Sequence, residues 1–303
     1  MATPVRTQAP LLAGATHVAS VRLGVGDLQR SLTWYDQWFG LAAHEIDQPG
    51  AVGLAPVGGN VVLELVERPG AEPFGGRHTG LYHYALRVPE RGDLARWLAY
   101  AAQNQLSLVG AADHFVSEAI YLTDPDGHGV EIYWDRPRNT WEGQVHLMTT
   151  ASLDINDLFG ELDTLSVSHE AARVPAGTVM GHVHLQVADV DPTVAFLRDV
   201  LGFELMMAFG RQAVFLATGG YHHDVGANTW GSRGATPAPE TVAHLEGVTF
   251  AVPGTEDIAG IRARVASAGL PSTGEEHHIT IVDPSGNPLT FAVETPMPGL
   301  GIT

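Results

Sequence analysis

The sequence has no cysteine, few cations and no long apolar run, and each absence excludes a class of protein. Without cysteine there are no disulfides, zinc–thiolate sites, iron–sulfur clusters or thiol nucleophiles, so any metal must be held by His, Asp or Glu. Only 16 Lys and Arg stand against 34 Asp and Glu, and the net charge of −18 argues against nucleic acid or an anionic membrane as a partner. No apolar run is long enough to span a membrane.

The N-terminal stretch also lacks the features of a signal peptide. It carries one cation, Arg6, and its weakly apolar segment 9–15 is interrupted by Pro10. We therefore expect a soluble cytoplasmic protein.

Length, apolar content and histidine are what the sequence does have. Its 303 residues suit two domains of ordinary size. An apolar fraction of 45% with 17% charged residues can bury sizeable cores, which excludes disorder. The 15 histidines make a metal site worth seeking.

Two segments offset by 162 residues share one pattern, an alternating strand followed by Asp, an amphipathic stretch and Gly. Asp27 and Gly40 bound the first amphipathic stretch, and Asp189 and Gly202 bound the second. The spacing is 13 residues in both cases. Asp near the start and Gly at the end predict a helix of about three turns in each segment.

A second pair of segments has a strand and a helix followed by an Asp-Pro-x-Gly turn and another strand. The turns begin at Asp124 and Asp283. The chain therefore holds four modules, residues 17–70, 78–136, 180–232 and 243–295. We predict an α+β fold of four βαβββ modules in two halves. The predicted divisions are an N-terminal half at 1–136, a connector at 137–179 with a short helix at 154–162 capped by Asp154, and a C-terminal half at 180–303.

Equivalent positions of the modules can be compared on the opening strand and on the closing strand. Three of these positions hold metal-type ligands, His83, His182 and Glu131. Two His and one carboxylate form the facial triad that leaves coordination positions open on Fe(II). The other positions compared hold residues that cannot be strong ligands, namely Ser20, Gly247 and Thr290.

The distribution of these ligands predicts how the modules pair. The second and third modules together hold the complete triad, and the first and fourth hold none of it. Two modules that enclose one cup-shaped cavity line it from opposite sides. We therefore expect the second module to face the third and the first to face the fourth. Pairing the first with the second would leave only His83 and Glu131.

Each histidine also has a purely structural interpretation. A single His on a half-buried strand is more often a hydrogen-bonded core residue than a ligand. His184 faces the same side of its strand as His182 and is the rival ligand, although lining a cavity suits it better. His17 faces the other side of its strand from Ser20. His128 lies in a polar turn, where we expect it to be solvated.

At this point the sequence resembles the vicinal oxygen chelate superfamily, and more closely the extradiol ring-cleaving dioxygenases of the catechol 2,3-dioxygenase type. The resemblance covers His17 to Glu294. Its most specific fragments are Gly181-His-Val-His-Leu-Gln-Val187, Leu81-Tyr-His-Tyr-Ala-Leu86, Tyr221-His-His-Asp-Val225 and Tyr121 through Glu131.

In that family, the opening-strand histidines and the closing-strand Glu hold Fe(II), which here implies His182, His83 and Glu131. Well-known members place all three ligands in the two C-terminal modules, whereas this chain divides them between its halves.

The resemblance also implies roles for three residues beside the metal. His223, in a His-Asp-Val sequence, would be the acid–base residue near bound dioxygen. Tyr121, ten residues before Glu131, would hydrogen-bond the substrate oxygen. His114 is the nearest match to an upstream His. Alternatively, His222 and His223 form an exposed polar turn, and Tyr121 simply packs; the role of His222 stays open.

The resemblance implies cleavage of a catechol by O2 next to its hydroxyl pair, which gives a ring-opened semialdehyde in aromatic hydrocarbon catabolism. The acidic composition favours a neutral catechol. Fe(II) is the implied cofactor, and Mn(II) accepts the same ligands. The sequence is compatible with a homo-oligomer as well as with a monomer.

Two other functions remain open. The first is a glyoxalase-like lyase or isomerase that uses Ni or Zn, although such sites usually want two carboxylates. The second is a non-catalytic, drug-sequestering protein, for which an apolar cavity suffices and a complete triad would go unexplained.

Overall fold

A computed structural model describes residues 11–48 and 50–294 of the chain. Arg6 and the start of the N-terminal segment 9–15 lie outside these residues, as does the end of the predicted C-terminal half. None of the described helices is both long enough and apolar enough to cross a membrane.

Strands make up most of the regular structure, with helices between them. The strands are β1 (His17–Val25), β2 (Ala42–Glu45), β3 (Ala51–Ala55), β4 (Leu63–Glu67), β5 (His78–Arg87), β6 (Gly110–Asp113), β7 (Ser117–Thr123), β8 (Gly129–Asp135), β9 (Ala151–Ser152), β10 (Val179–Gln186), β11 (Glu204–Phe209), β12 (Ala213–Ala217), β13 (Val225–Asn228), β14 (Thr236–Pro237), β15 (Leu245–Val252), β16 (His278–Val282) and β17 (Pro288–Val293). The helices are α1 (Leu28–Phe39), α2 (Arg91–Gln103), α3 (Ile155–Phe159), α4 (His169–Ala172), α5 (Val190–Val194) and α6 (Thr255–Ser267), and a π-helical segment, Ala195–Leu201, continues α5.

The predicted helix boundaries are confirmed in the first and third modules. The Asp27 carboxylate accepts a hydrogen bond from the Arg30 backbone N–H at 2.9 Å, and Asp189 caps α5 in the same way through Asp191. Gly40 and Gly202 adopt the left-handed conformation, with φ of 66° and 96°, in which a side chain would be strained. In the connector, Asp154 caps α3 as predicted, but the helix ends at Phe159.

The modules pair across the two halves, as predicted. The first and fourth modules form one sheet through antiparallel pairing of β1 with β15. The second and third form the other through antiparallel pairing of β5 with β10. Within the described residues, the strand orders are β16-β17-β15-β1-β4-β3-β2 in the first sheet and β11-β12-β13-β10-β5-β8-β7-β6-β9 in the second, where β14 pairs with β5. The division into halves at 136 and 180 stays a prediction, and the sheets run across it.

The fourth module departs from the βαβββ pattern. After α6 it has only two strands in the described chain, β16 and β17. An isolated bridge between Thr273 and Thr280 takes the place of the first of the three strands that the pattern puts after the helix.

Both Asp-Pro-x-Gly sequences form the same tight turn. The Asp124 carboxylate accepts hydrogen bonds from the backbone N–H groups of Asp126 and His128, each at 2.9 Å. Asp283 accepts the equivalent bonds from Ser285 and Asn287. The prediction that His128 is solvated is wrong, because its ring is buried and its Nε2 lies 3.0 Å from the Gly24 carbonyl oxygen of the other sheet. The turn before β8 therefore also joins the two sheets.

Buried aromatic side chains join the helices of the first two modules. Phe39 of α1 stacks on Trp97 of α2 with ring centroids 5.5 Å apart, and the Trp97 indole N–H donates to the Trp38 carbonyl oxygen at 2.8 Å. Burial of such large rings contributes much of the core stability. The helices thereby cover one side of the fold.

A bulge in β10 sets the orientation of the strand that carries His182. Gly181 is the extra residue between the pairs Met180–Leu86 and His182–Ala85. A Cβ at Gly181 would collide with the hydroxyl of the buried Tyr133 on β8. The glycine in this fragment is therefore required by packing.

We expect Gly181→Ala to lower the free energy of unfolding by about 2 kcal/mol, because the added methyl must displace a buried tyrosine. Gly247→Ala is the matched control on β15, since the nearest atom to its new Cβ is 3.8 Å away. Urea denaturation measures both. Equal stabilities of the two variants would contradict the packing argument.

Candidate metal centre and active site

One face of the second sheet carries nearly all of the predicted site residues. On β5 and β8, Ala85 pairs with Glu131, which places His83, two residues earlier on β5, on the same face. On β10, His182 pairs with Ala85 and His184 with His83. We call the face that carries His83, Glu131 and His182 the inner face.

The two histidines and the glutamate converge on one point of the inner face. Their ligand atoms all lie within 4.8 Å of one another, and all three residues are buried. The Nε2 atoms of His83 and His182 lie 3.1 Å and 3.4 Å from the same oxygen of Glu131. The structure therefore brings together the three residues that the sequence analysis selected from strands far apart in the chain.

The electrostatics keep the Glu131 carboxylate ionised and the His182 imidazole neutral. Burial by itself would raise the pKa of Glu131, but the His182 and His83 imidazoles outweigh it and hold this pKa well below its usual value. Burial lowers the pKa of His182 to about 4, against the opposing effect of Glu131. A neutral imidazole keeps the lone pair that a metal requires.

These residues fit a divalent metal. The Nε2 of His83 is buried and makes no hydrogen bond within the described residues, although it points towards the carboxylate. A buried polar atom without a partner is costly, and a metal ion would satisfy it. The donor set of two imidazoles and one carboxylate is that of a non-haem Fe(II) site.

His184, the rival ligand, lies beside this cluster rather than within it. Its ring is buried, 5.1 Å from the ring of His83 and 5.6 Å from that of Trp230. Burial, followed by the repulsion of His83 and His182, lowers its pKa well below the usual value. Gly226 on β13 leaves room for the ring, because a Cβ there would lie 2.8 Å from it.

Tyr121 and His114 are hydrogen-bonded to each other beside the metal cluster. The Nε2 of His114 lies 2.6 Å from the Tyr121 hydroxyl, and its Nδ1 lies 2.7 Å from the Thr149 carbonyl oxygen. Because that carbonyl can only accept a hydrogen bond, Nδ1 of His114 donates to it, and Nε2 then accepts a hydrogen bond from the Tyr121 hydroxyl. Tyr121 pairs directly with Glu131 across β7 and β8, so its ring is held beside the metal cluster.

His223 packs on the cluster from the third module. Its ring centroid lies 4.0 Å from that of His182, and the residue is buried. The alternative of an exposed polar turn is wrong for His222 and His223, because both are buried. The Nδ1 atoms of the two rings are 2.8 Å apart, and the Nε2 of His222 lies 2.8 Å from Asp135 Oδ1.

Sequence reasoning missed Asp135, and only the strand alternation could have found it. Glu131, Tyr133 and Asp135 alternate along β8 and so share the inner face. The second Asp135 oxygen accepts a hydrogen bond from the Tyr221 hydroxyl at 2.7 Å, and the Arg87 guanidinium lies 3.3 Å from it. Burial alone would raise the pKa of Asp135, but His222, Tyr221 and Arg87 together lower it.

A cavity of about 600 Å³ opens over the inner face. Within the described chain, its lining includes the metal cluster, His184, Tyr121, His114 and His223, but no arginine. Aromatic and aliphatic side chains make up much of the remaining wall, including Phe74, Val109, Val116, Met148, Phe209, Phe215 and Trp230. The arrangement suits a mostly apolar ligand that presents polar atoms to a metal.

The first sheet holds no such cluster at the equivalent positions. In the first sheet, Glu64 pairs with Arg22 as Glu131 pairs with Ala85 in the second, so Glu64 occupies the position equivalent to Glu131. The sequence analysis did not compare this position of the first module. The Ser20 hydroxyl donates to Glu64 at 2.9 Å, and the Arg22 guanidinium forms an ion pair with it at 2.5 Å. In the fourth module, the hydroxyls of Thr280 and Thr290 are hydrogen-bonded at 2.8 Å.

Comparisons with known proteins identify the family of the chain. The sequence model of the Glyoxalase/Bleomycin resistance protein/Dioxygenase superfamily matches residues 15–132 and 179–291. The chain belongs to this superfamily. Its fold is the α+β vicinal oxygen chelate fold, as the sequence analysis expected.

One curated relative matches nearly the whole chain. It is 37% identical over 285 residues, which cover 92% of this chain and 98% of the relative, and it is named catechol-2,3-dioxygenase, from Bacillus subtilis (strain 168). Among solved structures, a protein from Bacillus subtilis subsp. subtilis str. 168 has a TM-score of 0.63 at 17% identity and covers 95% of this chain and 87% of its own. Glyoxalase I from Zea mays has a TM-score of 0.56 at 13% identity and covers 92% of each chain.

Asp224, next to His223, is a buried carboxyl with an unusual protonation equilibrium. It accepts hydrogen bonds from the Thr218 backbone N–H at 2.7 Å and from the Thr218 hydroxyl. Burial raises its pKa from 3.8 to about 7, although the Thr218 bonds oppose the rise.

The folded protein therefore holds the Asp224 proton more tightly than the unfolded chain does. This stabilisation is complete below pH 3.8 and is lost as the pH rises to about 7. We expect the stability of Asp224→Asn relative to the wild type to increase through this window, by on the order of 4 kcal/mol in total. Denaturant unfolding at several pH values measures this difference, with the exposed Asp163→Asn as control. A difference that does not vary with pH would contradict the raised pKa.

Proposed function

We propose that the protein is an Fe(II)-dependent extradiol dioxygenase that opens the ring of a neutral catechol with O2 and yields a semialdehyde. The ring bond next to the hydroxyl pair breaks, and both atoms of O2 enter the product. The observation that carries the proposal is the convergence of His83, Glu131 and His182 within 4.8 Å in a cavity lined by His223 and Tyr121. The relative named catechol-2,3-dioxygenase, at 37% identity, supports the same reaction.

In this proposal, each residue of the inner face has a distinct task. His83, His182 and Glu131 would hold the metal, which would acidify the catechol and mediate electron transfer to O2. His223 accepts a proton from the bound substrate and returns it as the ring opens. Tyr121, whose own proton is directed to His114, accepts a hydrogen bond from a substrate hydroxyl. The apolar wall excludes water and holds the aromatic ring in place.

The donor set separates this function from the two alternatives. A glyoxalase-like lyase usually wants two carboxylates, and the cluster found within the described residues contains one. A drug-sequestering protein needs only an apolar cavity and would leave the buried lone pair of His83 unused.

Anaerobic loading with Fe(II), followed by catechol with and without air, tests the reaction. We expect a yellow ring-fission product and catechol-dependent O2 uptake in air only. Ni or Zn retention with thioester formation from a thiol conjugate would indicate the lyase. Failure to retain any metal would indicate a binding protein.

Replacement of the carboxylate ligand tests the site itself. We expect Glu131→Ala to abolish both iron retention and turnover, because it removes the only negative donor of the cluster. Iron per chain, measured by elemental analysis after gel filtration, gives the first result, and O2 uptake gives the second. Glu45→Ala, at an exposed position on β2, is the charge-matched control. Retained iron in Glu131→Ala would refute the ligand assignment.

The cavity also indicates what the catechol carries. Pockets of about 300 to 1,000 Å³ enclose drug-sized ligands, and this cavity of about 600 Å³ lies well inside that range. Gly110 and Ala112 on β6 line the cavity, and Gly110 pairs directly with Tyr121, so it shares the inner face. These small residues leave room beside the metal cluster. With no arginine in the described lining, we include an apolar, uncharged substituent in the proposal.

Substitutions of increasing size at Gly110 test whether the space beside the metal cluster holds the catechol's substituent. A Cβ at Gly110 meets no atom within 4 Å, so a side chain can begin there without a clash. We expect Gly110→Ala, Gly110→Val and Gly110→Phe to reduce kcat/KM progressively for a catechol with a bulky apolar substituent, by roughly tenfold for phenylalanine. Unsubstituted catechol should change little. Equal losses for both substrates would contradict the assignment of this wall.

A further inference from the structure

Two adjacent histidines link the cavity to a partly buried carboxylate, Asp135, on another module. His222 is fully buried and contacts Asp135 through Nε2 and His223 through Nδ1, each at 2.8 Å. His223 lines the cavity, whereas His222 does not. The sequence left the role of His222 open and did not indicate Asp135.

The carboxylate of Asp135 determines which atom donates in each hydrogen bond of the series Asp135–His222–His223. An ionised carboxylate only accepts hydrogen bonds, so the proton between Asp135 and His222 belongs to Nε2 of His222. A neutral His222 then has its lone pair on Nδ1. His223 must donate to it from its own Nδ1, and its remaining lone pair is on Nε2.

Neighbouring groups hold Asp135 in place. Its other oxygen accepts the Tyr221 hydroxyl, and Tyr133 donates to Tyr221 at 2.8 Å. The Arg87 guanidinium lies 3.3 Å from the same oxygen. The bulge at Gly181 makes room for the Tyr133 hydroxyl in this network.

We propose that Asp135 and His222 are positioning residues that fix the tautomer and ring orientation of His223, so that Nε2 of His223 is the atom that exchanges a proton with the substrate. The inference rests on the proposed function for its purpose, but the tautomers themselves depend on neither metal nor activity. Within the described residues, the hydrogen bond of the His223 ring is made by Nδ1, and the residue lines the cavity, which leaves Nε2 for a ligand there.

Nitrogen-15 spectroscopy of the full chain labelled at histidine tests the tautomers directly. The sample contains Zn(II) in place of Fe(II) to keep it diamagnetic, and a second sample contains no metal. Two-bond nitrogen–proton correlations show which ring nitrogens carry protons. We expect His222 protonated at Nε2 and His223 at Nδ1. A wild-type His223 protonated at Nε2 would overturn the proposal.

A matched pair of variants separates positioning from a structural role. His222→Gln keeps a donor for Asp135 and an acceptor for His223, whereas His222→Leu removes both. We expect His223 to keep its tautomer in His222→Gln and to lose it in His222→Leu. If His222→Leu fails to fold, Asp135→Leu removes the acceptor at the other end and should have the same effect. Arg68→Met removes a guanidinium that pairs with Glu246 of the first sheet and leaves the Asp135 network untouched, so it should not change the tautomers.

Kinetics provide the second readout. We expect kcat to fall at least about tenfold in His222→Leu with KM within about twofold, and His222→Gln to recover most of the loss. Equal kcat in the two variants, or an unchanged His223 tautomer in His222→Leu, would refute the positioning role. Absence of any catechol cleavage by the wild type would instead refute the proposed function, and the spectra would still decide the tautomers.

Discussion

The antiparallel pairing of β5 with β10 is the interaction on which the site depends. It joins modules that are about 100 residues apart in the chain and places His83, His182 and His184 on one face of one sheet. Parallel pairing of β5 with β8 then brings Glu131 to the same face. Because side chains alternate along a strand, a shift of one residue at either pairing would turn a ligand towards the helices. The bulge at Gly181 is the local device that sets this register.

Burial of its polar groups determines what this face can hold. Four imidazoles crowd around one carboxylate, and the low polarity of the surroundings keeps His182, His184 and His223 neutral. Neutral imidazoles have lone pairs that can bind a divalent cation, and the carboxylate carries the negative charge that attracts it. The same burial makes each unpaired nitrogen costly, so the arrangement gains most when an ion is present. Asp135 and His222 belong to a second polar network that is satisfied without one.

Local sequence signals were sufficient for much of the fold and for the positions of the three clustered residues. Asp27 and Gly40 predicted a helix whose ends the structure reproduces, because caps and left-handed glycines act over a few residues. The crossed pairing could be inferred from the distribution of His83, Glu131 and His182 because a cup needs both walls. The contact of Asp135 with His222 and the burial of His128 could not be inferred, since each depends on a partner from another module. The missing strand of the fourth module has no comparably clear signal in the sequence.

The ion pair between Glu64 and Arg22 occupies the position of the first sheet that is equivalent to the metal cluster of the second sheet. There, a carboxylate occupies the register of Glu131, and the positive charge beside it belongs to a side chain of the neighbouring strand. A covalently attached cation cannot dissociate, exchange or accept further ligands. In the first sheet this carboxylate therefore joins two strands, whereas the carboxylate at the same register of the second sheet faces two imidazoles, whose nitrogens can bind an exchangeable ion.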